Sequence, residues 1–211
     1  MYVFVYGSLL SPRDLRQVGI DPSKCKPAVL PGYEITFDKK SINRCAAANL
    51  SRCEGEECNA VGIVCEAGEE VINVLDRREG NYHRELVTYK LIDKNESGGE
   101  AYTYISDNRL GDDEIEKCIQ DKKDKKLMKY LEIIADGLCY WDEKDKGFIE
   151  LYISGIKNDK IHSKITAMLK EALRRRKQHL KLNEEGFTTC YKNDRVFRKV
   201  EEACYEANHG V

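Results

Sequence analysis

The chain has 211 residues, which is enough for one large domain or for a domain with an extension, and it can bury a substantial core. Its 35 basic and 37 acidic residues give a formal net charge of -2, so whole-chain electrostatics do not predict a polyanionic partner such as nucleic acid. No apolar run approaches the roughly 20 residues that span a bilayer, and no basic region with a cleavage site opens the chain. The sequence therefore predicts a cytoplasmic protein that does not contact a membrane.

The chain opens with a short strand that leads directly into a glycine turn. Aromatic residues alternate with valines over residues 2–6, so both faces are apolar and the strand is predicted to be buried. Gly7 then permits a close backbone approach, and Ser8 and Leu9 can present successive N–H groups at the end of the strand. The pattern predicts a place that could hold an anion.

The next elements form a mixed set of strands around one helix. Because all four prolines fall in the first 31 residues, residues 11–32 are predicted to be a loop with at most a short helix over 13–18. β-Branched and aromatic residues predict strands over 33–37, 59–65, 84–92 and 100–105, and residues 69–78 are predicted to be a helix.

Charged helical patterns dominate the chain after residue 111. They predict helices over 112–120, 125–136, 158–182 and 194–207, with one more strand over 148–153. The helix over 158–182 has the clearest apolar stripe, which must pack against another surface. Residues 174–177 form a basic run on this helix, but such a run is usually a solvated helix face.

The nine cysteines could be either disulfide-bonded or reduced. None of their gaps gives a Cys-x2-Cys pair, so the sequence does not predict a metal site. A disulfide between Cys53 and Cys58 is expected only in an oxidising compartment or in a hyperthermophile. Otherwise the cysteines are small buried hydrophobic residues or reduced surface thiols.

A second motif, over residues 74–87, reads as the end of a helix, a tight turn and the start of a strand. Together with the Tyr6–Leu9 turn it resembles the γ-glutamylcyclotransferase family, including its AIG2-like members. The resemblance rests on Glu79-Gly80 at the helix end, on the segment from Tyr82 to Arg84, and on residues 48–50, 61–64, 101–104 and 129–137 in the same order. It covers roughly residues 1–140.

The resemblance implies a fold and a domain organisation. The expected fold class is α+β, with a small mixed, strongly bent β-sheet or barrel and flanking helices. The helical patterns near the end of the chain, which the resemblance does not cover, add a C-terminal helical extension. We place the family-like domain at residues 1–155 and the extension at 156–211. The extension is expected to pack on the domain, where it would cover the active site or form a homodimer interface.

The reaction implied by the family is an intramolecular aminolysis of a small γ-glutamyl substrate. The free α-amine attacks the γ-carbonyl, which gives 5-oxoproline and expels the other amine. The resemblance implies that Glu79 is the general acid/base, and a partly buried carboxylate suits both roles. Backbone N–H groups of Gly7, Ser8 and Leu9 would bind the substrate carboxylate or the developing oxyanion, so no metal or other cofactor is expected.

Several other residues compete for a role in the site. Tyr82 and Tyr130 match family tyrosines near the pocket, and Tyr6 is expected in its wall. Glu85 is an alternative carboxylate that could instead pair with Arg84 or Arg78. His83 has no nucleophile at a readable spacing, and Ser8 lacks the context of a nucleophile elbow.

A function of a different class also fits the sequence. The same fold could bind or sense a γ-glutamyl or carboxylate metabolite without turning it over. The sequence does not identify the leaving amine.

Overall fold

The computed structural model describes residues 1–41, 45–53, 58–93, 97–121 and 125–186, with side chains up to residue 180. The chain divides into two compact units, Met1–Arg176 and Lys177–Val211. The strands are β1 Tyr2–Val5, β2 Cys25–Pro31, β3 Tyr33–Ser41, β4 Cys45–Arg52, β5 Asn59–Glu66, β6 His83–Leu91 and β7 Gly99–Ile105. The α-helices are α1 Pro12–Gln17, α2 Glu69–Arg78, α3 Asp112–Gln120, α4 Lys126–Lys144, α5 Phe148–Ser154 and α6 Lys160–Gly186.

Five strands close into a small barrel in the order β1-β5-β2-β6-β7. The barrel closes where β1 pairs with β7 in parallel at Val3 and Tyr102, while its other pairings are antiparallel. Val3, Phe4 and Val5 are all buried, as expected for a strand that is apolar on both faces. The predicted α+β class with a bent barrel and flanking helices is therefore confirmed.

Strands β3 and β4 form a separate hairpin against the barrel. Their register shifts between Thr36 and Lys39, and such a bulge bends the strand that carries it. The sequence predicts β3 but not β4, because the alanine-rich segment of β4 lacks the β-branched and aromatic residues that are typical of a strand. β4 contributes Ala48 and Asn49 to the region described below.

Strand β2 corrects the expectation of a loop over residues 11–32. Pro27 and Pro31 argued against a strand because proline donates no ladder hydrogen bond. β2 nevertheless pairs with β5 from Cys25 to Pro31, and with β6 at only two positions. Pro31 ends the strand, and the carbonyl of Pro27 accepts a hydrogen bond from the N–H of Ile92 (3.2 Å).

The expectation of a strand over residues 148–153 is wrong, because this segment is the helix α5. Phe148, Ile149 and Tyr152 are buried, a spacing that fits one face of a helix. Gly147, with φ of 93°, precedes the helix, and the carboxylate of Asp142 accepts hydrogen bonds from the N–H groups of Gly147 and Ile149.

The remaining predicted helices within the described residues are present, with small shifts in their bounds. Helix α4 runs eight residues further than expected, past Gly137 to Lys144. A Cβ on Gly137 would lie 2.4 Å from the carbonyl carbon of Leu10, so the glycine allows α4 to approach the turn after β1. The helix predicted over residues 194–207 lies outside the described residues.

Helix α6 packs its first half against the rest of the first unit. Ile165, Leu169, Ala172 and Leu173 are buried along its apolar stripe, and the ring Nε2 of His162 accepts a hydrogen bond from the N–H of Phe37 (3.1 Å). The domain boundary at residue 155 stays a prediction.

The basic run on α6 engages acidic side chains. Arg174 and Arg175 contact Glu171, and Arg176 contacts Asp136 at 2.7 Å. The hydrogen bonds from the two arginines lower the pKa of Glu171 to about 2. Much of the positive charge is therefore matched locally.

Six cysteines form the disulfides Cys25–Cys65, Cys45–Cys118 and Cys53–Cys58. Cys25 lies opposite Cys65 in the β2–β5 register, and Cys45–Cys118 joins the start of β4 to α3. Cys53–Cys58 is the disulfide that the sequence allowed for, whereas the sequence analysis did not anticipate the other two pairs. Among the described helices, none combines the length and the hydropathy that crossing a bilayer requires.

Candidate active site

A pocket opens at the end of β1. It is lined by Phe4, Val5, Tyr6, Gly7, Ser8, Leu9, Ala48, Glu79, Tyr82, Tyr104 and Tyr130. All seven residues that the sequence placed in a site are in this lining, although they come from the segment that follows β1, the turn after α2 and helix α4. The fold therefore brings the predicted site residues into one place.

Two tyrosines fix the end of β1 in the pocket wall. The hydroxyl of Tyr6 donates to the carbonyl of Tyr104 at 2.5 Å, and the hydroxyl of Tyr152 donates to the carbonyl of Tyr6 at 2.7 Å. Burial raises the pKa of Tyr6 well above its usual value, and nearby Tyr82, Tyr130 and Glu79 raise it further. Tyr6 therefore stays protonated and serves as a neutral wall of the site.

The turn after β1 is a short 3-10 segment, Ser8–Leu10. The N–H of Leu10 donates to the carbonyl of Gly7 (3.0 Å), and the N–H of Ser11 donates to that of Ser8 (3.1 Å). The first N–H groups of a helical turn are not used by the turn's own hydrogen bonds. The indole N–H of Trp141 holds the carbonyl of Leu10 at 2.8 Å, which anchors the turn to α4.

Glu79 is the C-cap residue of α2, where its backbone N–H donates to the carbonyl of Leu75 at 2.8 Å. Its carbonyl accepts from the N–H of Tyr82 (2.7 Å), so a tight turn brings both side chains to the pocket. The Glu79 side chain is 21% exposed, and one carboxylate oxygen lies 3.2 Å from Nε of Arg78. Glu79 is therefore a half-buried carboxylate in the pocket lining, at the end of α2.

Tyr82 and Tyr130 meet at one peptide segment of β4. The hydroxyl of Tyr82 donates to the carbonyl of Ala48 at 2.9 Å, and the hydroxyl of Tyr130 accepts from the N–H of Ala48 at 3.1 Å. Both phenols are thus held by the backbone of β4, and the ammonium of Lys39 also lies over the Tyr82 ring, 4.6 Å from its centroid.

A buried network continues from Ala48 to the turn that carries Glu79. The side chain of Asn49 accepts from the N–H of Ser106 and donates to its carbonyl, both at 2.9 Å. The hydroxyl of Ser106 then donates to the carbonyl of Asn81 at 2.9 Å. Asn49 and Ser106 are fully buried, so this network connects β4, the end of β7 and the Glu79–Tyr82 turn.

One side of the pocket is supported by a charged cluster. The hydroxyl of Tyr104 donates to Asp76 at 2.8 Å, and the same carboxylate pairs with Arg84 at 2.8 Å. Burial, followed by the hydrogen bond to Asp76, raises the pKa of Tyr104 above its usual value. Tyr104 is therefore a second protonated tyrosine beside the site.

Glu85, the competing carboxylate, is not in the pocket lining. Its contacts are with His83 at 2.8 Å and Arg52 at 3.3 Å, so the suggested partners Arg84 and Arg78 are wrong. The hydrogen bond from His83 lowers the pKa of Glu85. His83 also faces Asp107 at 3.4 Å, which places it in a surface ion cluster.

Sequence reasoning missed part of the pocket's surroundings. Arg78 was considered only as a partner of Glu85, and Ser106 was not considered. A cation beside a carboxylate at a helix end was the available signal for Arg78. Nothing local in the sequence marks Ser106, because its partners Asn49 and Asn81 are distant along the chain. In the described part of the chain, no three His, Cys, Asp or Glu side chains gather as a metal-binding group.

Comparisons with known proteins give a consistent result. The model of the family "Gamma-glutamyl cyclotransferase, AIG2-like" matches residues 3–124. A solved structure described as a gamma-glutamyl cyclotransferase shares 15% identity and a TM-score of 0.52, covering 81% of this chain and 98% of its own. A structure of an uncharacterized protein from Homo sapiens shares 17% identity and a TM-score of 0.52, covering 80% and 97%. A search of curated proteins finds no match. At these identities the solved structures show a shared fold.

Proposed function

This chain belongs to the AIG2-like γ-glutamyl cyclotransferase family, and we propose that it converts a γ-glutamyl substrate into 5-oxoproline and a free amine or amino acid. The observation that supports this most directly is the convergence of Glu79 and the Tyr6–Leu9 turn on one pocket. These are the base and the anion-binding backbone that the reaction needs. The proposed partner is a small molecule, with neither nucleic acid nor a membrane involved.

Glu79 is the proposed general acid/base. The substrate's α-amine, with an ordinary pKa of about 8, is largely protonated at neutral pH and must lose a proton before it can attack. Glu79 takes that proton, and the amine nitrogen forms a bond to the γ-carbonyl carbon. When the bond to the leaving nitrogen breaks, Glu79 returns this proton to it. The ring nitrogen then gives up its second proton to Glu79, which passes it to the released amine, so that 5-oxoproline leaves as a neutral lactam. One carboxylate thus serves both steps.

Backbone donors are proposed to hold the negative charges. The turn of Gly7, Ser8 and Leu9 follows a buried strand and faces the same pocket as Glu79. N–H groups in such a turn can hold the substrate carboxylate or the oxyanion that develops on the γ-carbonyl. Because the attack is intramolecular, a pocket that holds the folded substrate provides much of the acceleration.

The proposed reaction is tested by product analysis on γ-glutamyl amino acids, γ-glutamylamines and glutathione. We expect at least one of them to release 5-oxoproline and its amine in equal amounts. Hydrolysis would release glutamate instead, so the two products separate cyclisation from simple amide cleavage. Glutamate as the product, or no product from the whole panel, would contradict the proposal.

The same panel of compounds also tests the alternative that the protein binds a metabolite without converting it. Calorimetric titration of each panel member shows whether the protein binds it when no product forms. Binding without turnover would favour a metabolite-binding protein of the same fold.

A further inference from the structure

Arg78 contacts three functional groups at the edge of the candidate site. Its Nη2 lies 3.4 Å from the hydroxyl of Ser8 and 3.2 Å from the carboxylate of Asp14, while its Nε lies 3.2 Å from that of Glu79. Asp14 belongs to α1, Ser8 to the turn after β1 and Glu79 to the end of α2. One guanidinium therefore joins the three segments that meet at the pocket.

Because this cluster is largely buried, the interactions between its charges are stronger than those of an exposed pair. The side chains of Arg78, Asp14 and Glu79 are 24%, 16% and 21% exposed, so water screens them less than an exposed surface pair. The planar guanidinium presents several donors in a fixed arrangement, which suits simultaneous contact with a hydroxyl and two carboxylates.

Glu79 needs such a partner because of where it lies. A carboxylate at the C-terminus of a helix faces the negative end of the helix dipole, which disfavours its charged form. Partial burial disfavours that form as well. The positive charge of Arg78 acts in the opposite direction.

The other titratable side chains in the pocket lining are tyrosines. Tyr6 faces Glu79 from the segment that follows β1, Tyr104 from β7, Tyr130 from α4 and Tyr82 from its own turn. The ammonium of Lys39, from β3, lies over the ring of one of them, Tyr82, at 4.6 Å from its centroid. Asp14, from α1, is paired with Arg78, which in turn contacts Glu79. The tyrosines are neutral at physiological pH, whereas Arg78 brings a positive charge to 3.2 Å from the carboxylate.

We propose that Arg78 is a positioning residue, which holds Glu79 and Ser8 in one arrangement and keeps Glu79 ionised at the pH where the substrate amine must lose its proton. Its role in turnover rests on the proposed function, whereas its effect on Glu79 does not. Asp14 anchors the guanidinium from α1.

The electrostatic part is tested by NMR titration of ¹³C-labelled glutamate side chains, with the resonance that Glu79→Gln removes assigned to Glu79. Arg78→Gln removes the charge but keeps a polar side chain, and we expect the pKa of Glu79 to rise by about 1 unit. The control Arg77→Gln removes a neighbouring, exposed arginine and should leave that pKa within about 0.2 unit. A Glu79 pKa that is equal in wild type and Arg78→Gln would overturn the inference.

Arg78→Lys tests the positioning part and also covers a failure of Arg78→Gln to fold. A lysine keeps the charge but lacks the fork that reaches Ser8 and Glu79 together, so the pKa of Glu79 should stay near the wild-type value while kcat falls about threefold or more. An unchanged kcat in Arg78→Lys would show that the fork is not needed.

The pH profile of kcat/KM separates this inference from the proposed function. If the protein is active, its acid limb should move upward in Arg78→Gln by the same amount as the NMR pKa. If Arg78→Gln is active and the acid limb of its kcat/KM profile stays at the wild-type pH, the inference is overturned but the cyclotransferase proposal is not. A moved NMR pKa in a protein without turnover would support Arg78 and contradict the cyclotransferase proposal.

Discussion

The hydroxyl of Tyr130 lies 3.0 Å from the position that a Cβ on Gly7 would occupy. The same hydroxyl accepts the N–H of Ala48, whose own Cβ would be 3.5 Å from the new atom. The packing of α4 and β4 against the turn after β1 therefore leaves little room for a side chain at Gly7. This contact couples the proposed anion-binding turn to the tyrosines of the pocket.

Gly7→Ala should lower kcat/KM about tenfold, because overpacking of this kind typically costs about 1–3 kcal/mol and displaces the turn or Tyr130. Combining it with Tyr130→Phe removes the clashing oxygen, so the double variant should lose less activity than the sum of the single losses. Gly68→Ala is the matched control, since a Cβ there meets nothing within 4 Å. Strict additivity of Gly7→Ala and Tyr130→Phe would contradict the packing argument.

Ser106→Ala removes the hydrogen bond to the carbonyl of Asn81, and also the one that the hydroxyl accepts from the N–H of Asn108 (3.2 Å), while leaving the backbone of residue 106 to pair with Asn49. A lost buried hydrogen bond of this kind costs about 1 kcal/mol, and here it loosens the turn that carries Glu79. We expect kcat to fall about fivefold with little change in KM, as measured by steady-state kinetics. The control Ser154→Ala loses a similar bond to Leu151 at an exposed site. A Ser106→Ala variant with wild-type kcat would show that the network does not position Glu79.

Asp159 predicts a pH-dependent contribution to stability. Burial alone would raise its pKa, but hydrogen bonds from the backbone and ring of His162 outweigh this effect and lower the pKa from 3.8 to about 2. A carboxylate with a lowered folded-state pKa stabilises the fold above its unfolded pKa, and this contribution is lost as pH falls toward 2. Asp159→Asn should therefore be less stable than wild type at pH 6.

The difference in free energy of unfolding between wild type and Asp159→Asn should shrink as the pH falls from about 4 to about 2. Urea unfolding at several pH values measures this difference. Asparagine is chosen because its side chain can still cap α6. Exposed Glu143→Gln serves as the control. A difference that stays constant over that pH range would rule out the charge of Asp159 as its cause.

The disulfide Cys45–Cys118 joins residues 73 apart in sequence. In the chain-entropy model, a crosslink that closes a loop of this size in the unfolded chain stabilises the folded protein by at most about 4 kcal/mol. The oxidised wild type should therefore unfold at higher urea concentration than Cys45→Ser/Cys118→Ser. The two proteins should become similar after full reduction.

A difference between them that persists under full reduction would point to lost packing instead of a lost crosslink. Thiol counting on protein isolated without reductant also tests the predicted cytoplasmic location, because a reducing compartment would leave these thiols free.

The sequence predicted the barrel's first strand, α2 and α3 because their local patterns agree with their final environment. It missed β2, since proline is a strong signal against a strand and only the pairing with β5 overrides it. Residues 148–153 were assigned to a strand because five of the six are apolar or aromatic, and the cap that Asp142 and Gly147 provide is visible only in three dimensions.

The candidate site was predictable in part for a similar reason. Gly7 and Glu79 lie in short motifs that keep their order along the chain, so a resemblance could locate them. The neighbouring Glu79 is the one local signal for Arg78, whereas the contacts of Arg78 with Asp14 and of Ser106 with Asn81 are long-range and leave no local pattern in the sequence. Ala48 contributes only its backbone to Tyr82 and Tyr130, which no side-chain pattern reveals.

The account depends most directly on the carboxylate of Glu79. We would measure 5-oxoproline release by wild type, Glu79→Gln and Glu85→Gln on the best γ-glutamyl substrate, with circular dichroism to confirm that each variant is folded. The account predicts that Glu79→Gln loses at least about a thousandfold in kcat, since it loses both base and acid, while Glu85→Gln retains activity within about threefold. A folded Glu79→Gln variant that releases 5-oxoproline at the wild-type rate would contradict it.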